Sequence, residues 1–96
     1  METVKFVLII HQVSDYNKWK IIFDKASFIR KKAGELSYNV LKYQDNPNKI
    51  VHLSIWSSHE NAKLFFQSPA LVKIRKEAGV KQPKFIYLEH LDSGLL

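Results

Sequence analysis

The sequence predicts a single α+β domain with the element order β-α-β-β-α-β, in which helices cover one face of a four-stranded antiparallel sheet. The length of 96 residues suits one domain and is too short for two. Segments with helical apolar spacing occur twice, and each follows a run that is typical of a strand. A turn-forming segment separates the two middle strands, which indicates a hairpin. This order is the ferredoxin-like plan.

The first strand and the first helix occupy the N-terminal third of the chain. Residues 4–13 are predicted to form a strand, because the apolar run leaves no polar face. Ser14 or Asp15 caps the following helix, and Gly34 ends it. The apolar face of this helix has helical spacing and comprises Trp19, Ile22, Phe23, Ala26, Ile29 and Ala33.

A hairpin is predicted next. Residues 38–43 and 49–56 are strand-like, and residues 45–48 between them read Asp-Asn-Pro-Asn. Each of these four residues favours turn geometry or lacks a donor for a ladder hydrogen bond. We therefore expect the turn at 45–48 and the two strands paired beside it.

The second helical region and the last strand complete the domain. A capping box at residues 57–60 opens the helix and leaves His59 exposed to solvent. The helix restarts at residues 68–69, where Ser is the cap and Pro takes the first position. Residues 84–90 are the last strand, and the tail at residues 92–96 is loose or docks on a partner.

Both faces of the first strand are apolar, which has a consequence for assembly. Val4, Phe6, Leu8 and Ile10 alternate with Val7, Ile9 and Val13 along this strand. Helices can cover only one of these faces, and a strand that is apolar on both faces needs cover on both. A second copy that stacks sheet on sheet with two-fold symmetry is the economical cover, so the sequence predicts a homodimer.

The basic charge of the chain raises the question of a nucleic-acid partner. The net charge is +6, from 15 Lys and Arg against 9 Asp and Glu. The cations are spread along the chain, and the densest group, residues 30–32, lies in a predicted last helical turn, where cations complement the helix dipole. A solvated basic surface is the interpretation that we prefer, so we expect no nucleic-acid partner.

Several classes of site and location are excluded or disfavoured. The chain has no cysteine, so disulfides, thiolate metal sites and cysteine catalysis are excluded. No apolar run approaches the ~20 residues that span a bilayer, and no secretory signal is visible, so we expect a cytoplasmic protein without a membrane partner. His11, His52 and His90 are scattered rather than closely spaced, so no metal is expected. The three glycines form no phosphate-binding loop, and no cofactor is expected.

His11 is the first candidate for a catalytic residue. It ends a buried strand, and a helix carrying Tyr16 and Trp19 follows at once. A histidine titrates near neutral pH and can act as a base on a phenol, whereas the alternative is an inert histidine bonded to the backbone. His52 joins the pocket only if its side of the strand faces the helices, which alternation alone leaves open. The other candidate ligand-binding residues are aromatic: Tyr16, Trp19, Phe23, Trp56, Phe66 and Tyr87.

The chain resembles the dimeric α/β-barrel superfamily that includes the antibiotic-biosynthesis monooxygenases. The resemblance covers about residues 6–90 and is carried by a set of local motifs. These are His11-Gln12-Val13, Asp15-Tyr16, Trp19-Lys20, Phe23-Asp24, Arg30, Gly34, the hairpin segment Asp45-Asn46-Pro47-Asn48, Trp56, Ala62, Phe65-Phe66, Ser68-Pro69, Leu71 and Ala78-Gly79.

The resemblance implies a cavity between sheet and helices in each subunit of a dimer. It also implies oxygenation of an aromatic phenol or quinol without metal or flavin. The haem-degrading branch fits less well, because His11 stands where that branch has Asn and residues 61–78 contain no histidine. Ala26 stands where related proteins carry a histidine in the first helix.

Three functional hypotheses follow. The leading one is a small-molecule pocket protein, a cofactor-independent monooxygenase or an isomerase or cyclase. In it His11 deprotonates an aromatic substrate, Tyr16 and Trp19 hold its ring, and Trp56 and Phe66 wall the cavity. The second is a non-catalytic binding or accessory protein with the same pocket. The third is an RNA-binding domain, which shares the element order, but residues 49–56 lack the glycine and the stacking aromatics of that class.

Overall fold

The computed structural model describes residues 3–96 and shows one four-stranded antiparallel sheet with helices on one side. The strand order across the sheet is β2-β3-β1-β4, with β1 and β3 in the centre. The predicted α+β ferredoxin-like class is therefore confirmed. The elements are β1 Lys5–Val13, α1 Tyr16–Lys25, α2 Ser27–Ala33, β2 Glu35–Tyr43, β3 Asn46–Trp56, α3 His59–Phe66, α4 Pro69–Glu77 and β4 Val80–Glu89.

The inner face of the sheet carries the core and two histidines. In β1, Val7, Ile9, His11 and Val13 are buried in alternation with less buried neighbours. His52 lies on the same face of β3, and its Cα pairs with that of Ile9 in the antiparallel register. Both histidines therefore face the helices, which decides between the two orientations of β3 that alternation left open.

The outer face of the sheet is mainly apolar, and no helix of residues 3–96 covers it. In β1 and β3 its side chains are half-buried or exposed, whereas the inner-face side chains of these two strands are mostly buried. Cross-strand pairing arranges them in three rows, Phe6–Ile55–Leu88, Leu8–Leu53–Ile86 and Ile10–Val51–Lys84.

The first helical segment is two helices, α1 and α2, rather than the single helix predicted. Asp15 caps α1 by accepting a hydrogen bond from Asn17 N, and α1 ends at Ala26. The Phe23 carbonyl at this end accepts hydrogen bonds from Ala26 N and from the Arg30 guanidinium. A side chain thus takes a place in the intrahelical ladder, which is a recognised cause of a helix break.

The hairpin between β2 and β3 is tighter than predicted. Its turn is at Gln44 and Asp45, and Tyr43 pairs with Asn46, so the predicted turn at residues 45–48 is wrong. Asn46 and Asn48 use their side chains in local and tertiary bonds instead. Asn46 Oδ1 accepts from Asn48 N, and Asn48 Oδ1 accepts from Tyr16 N, which ties the start of β3 to the start of α1.

The last strand, β4, begins at Val80, four positions before the start that the sequence predicted. Pro83 lies inside it, which is tolerated because β4 is an edge strand. The pairing with β1 shifts between Ile10 and Gln12, and Gln82 adopts a φ of 46° at this irregularity. The irregularity in the β1–β4 ladder therefore accommodates Pro83, which has no backbone N–H to donate.

Two expectations at the start of α3 need correction. The cap is Ser58, whose hydroxyl accepts from Asn61 N at 3.0 Å, rather than Ser57. His59 is half-buried, with Nε2 at 3.1 Å from Phe6 O and 2.9 Å from Leu88 O, so it is not a solvent-exposed histidine. The ring joins α3 to β1 and β4. Across residues 3–96 no helix has the length and apolarity to cross a membrane.

Candidate functional site

A cavity of about 60 Å³ lies between the inner face of the sheet and the helices. Strand residues form its floor, and helix residues form its walls. Apart from two histidines and two arginines, the lining is apolar or aromatic. A buried water needs at least ~10–15 Å³ of such space, so the cavity matches about four or five waters. A cavity of roughly 150 Å³ holds benzene, so a single-ring ligand already requires lining side chains to move, and a fused polycycle requires a larger movement.

His11 forms part of the cavity floor and has no hydrogen-bond partner among the described residues. It is 5% exposed, and both Nδ1 and Nε2 are buried and unpaired there. Buried polar groups are ordinarily hydrogen-bonded, so an orphan ring of this kind requires an explanation. Burial, and then the nearby His52 and Arg75, lower the pKa of His11 to about 3. The ring is therefore neutral near pH 7, and the nitrogen that carries no hydrogen is free to accept a hydrogen bond.

Two aromatic residues of α1 close over this histidine. The N-cap at Asp15 starts the helix so that Trp19 and Phe23, four residues apart, point to the sheet. The ring centroids of Trp19 and His11 are 5.6 Å apart, and those of Trp19 and Phe23 are 4.8 Å apart. The ring centroids of His52 and His11 are 6.5 Å apart, with nearly parallel planes. Two aromatic rings, those of Trp19 and His52, therefore lie beside His11.

A buried ionic network supports the same wall of the cavity. Glu35, at the start of β2, accepts from Arg30 Nε at 2.5 Å and from His52 Nε2 at 2.8 Å. The Arg30 guanidinium also lies over the Phe23 ring, 3.6 Å from its centroid. Burial alone would raise the pKa of the Glu35 carboxyl, but hydrogen bonds and charges from His52 and Arg30 outweigh it and lower that pKa. The carboxylate form is thus held in place, and it fixes the ring of His52.

The prediction of a uniformly solvated basic surface missed this network. Arg30 was expected to be solvated together with its neighbours Lys31 and Lys32, and this is wrong because it is 5% exposed and ion-paired. The position of Arg30 in the sequence does indicate burial. It follows Phe23 by seven residues, which is two helical turns and therefore the same buried face. Glu35 and Arg75 were not singled out at all. Nothing in a strand-start Glu or an amphipathic-helix Arg marks it as buried.

The structure brings together five of the eight residues that the sequence singled out for the site. His11, Trp19, Phe23, His52 and Phe66 line the cavity. They come from two strands and two helices, so the fold, and not proximity in the chain, assembles them.

The other three candidates, Tyr16, Trp56 and Tyr87, lie outside the lining. Tyr16 borders a shallow groove between the start of α1 and the hairpin. Trp56 is in the core, where its Nε1 donates to Ser54 Oγ at 2.8 Å. Tyr87 packs against the His59 ring, with centroids 5.6 Å apart, and burial raises its pKa. Two of these three contact lining residues: the ring centroid of Trp56 is 5.3 Å from that of Phe66, and that of Tyr16 is 6.0 Å from that of Trp19.

A metal centre finds no support in the arrangement of the described side chains. Within residues 3–96, no group of three or more histidine and carboxylate side chains is placed to hold an ion. His11 and His52 are close, but the carboxylate bonded to His52 is Glu35, which also pairs with Arg30. The described side chains around the cavity are mainly aromatic and aliphatic rather than metal-ligating.

The fold and the cavity define an α+β protein of the ferredoxin-like class with a buried aromatic pocket. Several of the solved structures that it resembles are of the antibiotic-biosynthesis-monooxygenase type. One is SnoaB, a cofactor-independent oxygenase from Streptomyces nogalater, with a TM-score of 0.74, 13% identity and 97% of each chain covered. Another is a protein of this type from Bordetella bronchiseptica, with a TM-score of 0.78, 13% identity and coverage of 94% of this chain and 99% of that one.

A third structure, a monooxygenase from the gene ActVA-Orf6 of Streptomyces coelicolor, was solved with the ligand nanaomycin D. It has a TM-score of 0.69 and 16% identity, and the match covers 98% of this chain and 93% of that one. No family model and no curated protein sequence matches the chain. The chain therefore has the antibiotic-biosynthesis-monooxygenase-like fold, and the resemblance stated from the sequence is confirmed at the level of fold.

Proposed function

We propose that this protein is a cofactor-independent monooxygenase that acts on a small hydroxyarene of the phenol or quinol type. The single observation that carries the proposal is His11, a buried, neutral and unpartnered base in the floor of an aromatic cavity. A ring hydroxyl can donate to either free nitrogen of His11. Trp19 and Phe23 offer faces on which the ring of the substrate packs.

The reaction that suits this site needs no external reductant. A phenol with a hydrogen at the para carbon reacts with dioxygen to give a para-quinone and water. The hydroxyl proton and the para hydrogen leave the ring, one oxygen atom enters it, and the other oxygen becomes water. His11 accepts the hydroxyl proton as the ring becomes electron-rich enough to reduce dioxygen. The lowered pKa makes His11 a weak base, so its share of the rate enhancement lies at the low end for general bases.

Oxygen uptake with thymol and α-naphthol as probes tests the proposal. Both have a free para position, and thymol has the single ring that the cavity favours. We expect the wild-type protein to consume dioxygen with thymol, and more slowly with the two-ring α-naphthol. Each quinone is expected to carry one atom of isotope-labelled dioxygen. His11→Gln is expected to lower turnover at least tenfold, because the amide cannot accept a proton at neutral pH. His90→Gln is the matched control, since His90 lies outside the lining.

Two results would count against this function. Equal turnover by wild type and His11→Gln would remove His11 from the reaction. Binding of both probes without oxygen uptake would reject the enzymatic function and favour the alternative, a ligand-binding protein of the same fold. Tight binding with no conversion is what that alternative expects.

We further propose that the outer face of the sheet is the contact surface of a homodimer. Its three rows lie on β1, β3 and β4 and are apolar except for Lys84, and Leu8 and Leu53 pair across the middle of the face. A second copy related by a two-fold axis presents the same surface in return, so one patch covers the other. The two-sided apolar character of β1 supports this occupant.

Light scattering on the eluting protein tests the dimer. Leu53→Lys places a charge in the middle row and is expected to convert a dimer to a monomer at tens of micromolar protein. Leu64→Lys is the matched control, because Leu64 is a similarly apolar but exposed residue of α3 on the other side of the sheet. A wild-type monomer at this concentration would contradict the proposal.

A further inference from the structure

Arg75 is the second arginine in the cavity wall, and among the described residues it has no carboxylate partner like the one that Glu35 provides for Arg30. It lies on α4, where Nη1 donates to Phe66 O at 2.9 Å and the guanidinium lies 5.3 Å from the centroid of the Phe85 ring. The salt bridges within residues 3–96 join other residues, and none includes Arg75. Four of the five guanidinium N–H groups therefore remain available in the described contacts.

The charges around the cavity are unbalanced in one direction. Arg30, Arg75 and two histidines are in the lining, which contains no carboxylate among the described residues. Glu35 is the nearby acid, and it is already bound by Arg30 and His52. A half-buried cation without a counter-ion is costly, and burial lowers the pKa of Arg75 accordingly. A ligand that brings its own negative charge would relieve that cost.

His11 supplies an independent second feature. Its ring is unpartnered and 5% exposed, and it lines the same cavity as Arg75. A neutral imidazole accepts a hydrogen bond from a hydroxyl, whereas a guanidinium pairs with a carboxylate in a two-bond geometry. The two side chains thus suit two different polar groups on one ligand, with an aromatic ring between Trp19 and Phe23.

We propose that the ligand of this cavity is a single-ring hydroxyarene that carries a carboxylate, with the carboxylate on Arg75 and the hydroxyl on His11. This rests on the proposed function, because it assumes that the cavity binds an aromatic ring. The inference goes beyond the proposed function because it assigns Arg75 a role in selecting an acidic ligand over a neutral one. The cavity volume of about 60 Å³ limits the ring system, and the unpaired guanidinium selects the charge.

Calorimetric binding of two probes at pH 7 tests this assignment. The probes are para-hydroxybenzoate and para-hydroxybenzamide, which share the ring and the hydroxyl and differ in charge. The acid is expected to bind the wild-type protein at least tenfold more tightly than the amide. Arg75→Gln, which keeps a donor for Phe66 O, is expected to abolish this preference with little change for the amide, and Arg75→Lys is expected to restore part of it. Lys76→Gln, an exposed cation on the same helix, is the matched control and keeps the preference.

The outcomes separate the two proposals. Equal affinity for acid and amide would overturn the anionic ligand and leave the aromatic pocket intact. A preference that survives Arg75→Gln would overturn the assignment to Arg75. Failure of the wild-type protein to bind either probe, while it still consumes dioxygen with thymol, would overturn this inference and leave the proposed function intact. Failure in both experiments would overturn both. The comparison of the two probes on wild type stands even if a variant fails to fold.

Discussion

Replacing Glu35 by glutamine is expected to lower the free energy of unfolding by about 3–5 kcal/mol, the usual loss when one partner of a buried ion pair is removed. Glu35 is 6% exposed and binds both Arg30 and His52, so the substitution leaves a buried guanidinium without its counter-charge. Urea denaturation at pH 7 and a fixed protein concentration measures the change. The fixed concentration matters because a dimer gains stability by mass action.

Two further variants give this experiment its controls. Glu89→Gln removes a carboxylate whose pair with Lys5 is exposed, and we expect no measurable change, as is usual for surface pairs. Arg30→Met combined with Glu35→Gln removes both charges and is expected to recover part of the loss. A Glu35→Gln protein as stable as Glu89→Gln would show that the network contributes little to the fold.

Acidification from pH 7 to pH 4 is expected to destabilise the protein by about 3 kcal/mol through His11 alone. Burial lowers the pKa of His11 to about 3 in the folded protein, whereas the pKa of a histidine in the unfolded chain is near 6.5. Between these two values the unfolded chain binds one more proton than the folded chain. Stability is therefore complete above pH 6.5 and falls as the pH decreases toward 3.

His11→Leu removes the group that binds this extra proton in the unfolded chain. The free energy of unfolding of the variant should therefore depend less on pH between 7 and 4. Unfolding free energies of wild type and variant, measured at pH 7 and pH 4, give the difference directly. Glu35 acts in the same direction in both proteins, because its lowered pKa also makes acid destabilising at lower pH. His90→Leu keeps His11 and should retain the wild-type slope. Parallel profiles for wild type and His11→Leu would mean that His11 titrates normally.

Apolar periodicity was sufficient to predict the sheet and its helices, because the buried faces of this fold follow each element closely. Apolar periodicity could not predict the strand registers or the face of β3 on which His52 lies. Alternation divides a strand into two faces but does not say which face the helices cover. Apolar periodicity also could not predict the break at Ala26. Alanine is a strong helix former, and the break depends on a guanidinium that arrives from Arg30 in the next helix.

The candidate site divides in the same way. His11, Trp19, Phe23, His52 and Phe66 could be selected from residue type and position, and they line one cavity. Arg30 has a positional signal at helical spacing from Phe23, but its residue type favoured solvent. Glu35 and Arg75 could not be selected, because the role of Glu35 comes from its contacts with Arg30 and His52, and that of Arg75 from a charge without an ion-pair partner among the described residues. Sequence patterns report burial of apolar groups well, and they report compensation between charged groups poorly.

At His11, the two faces of the sheet are formed by neighbouring residues of the same strand. Ile10 and Gln12, the neighbours of His11 in β1, lie on the opposite face, and the ladder shifts at this point. Ile10 lies in the surface proposed as the dimer contact, so one short segment of β1 serves both that contact and the imidazole in the cavity. Under these two proposals, selection on one surface constrains the other.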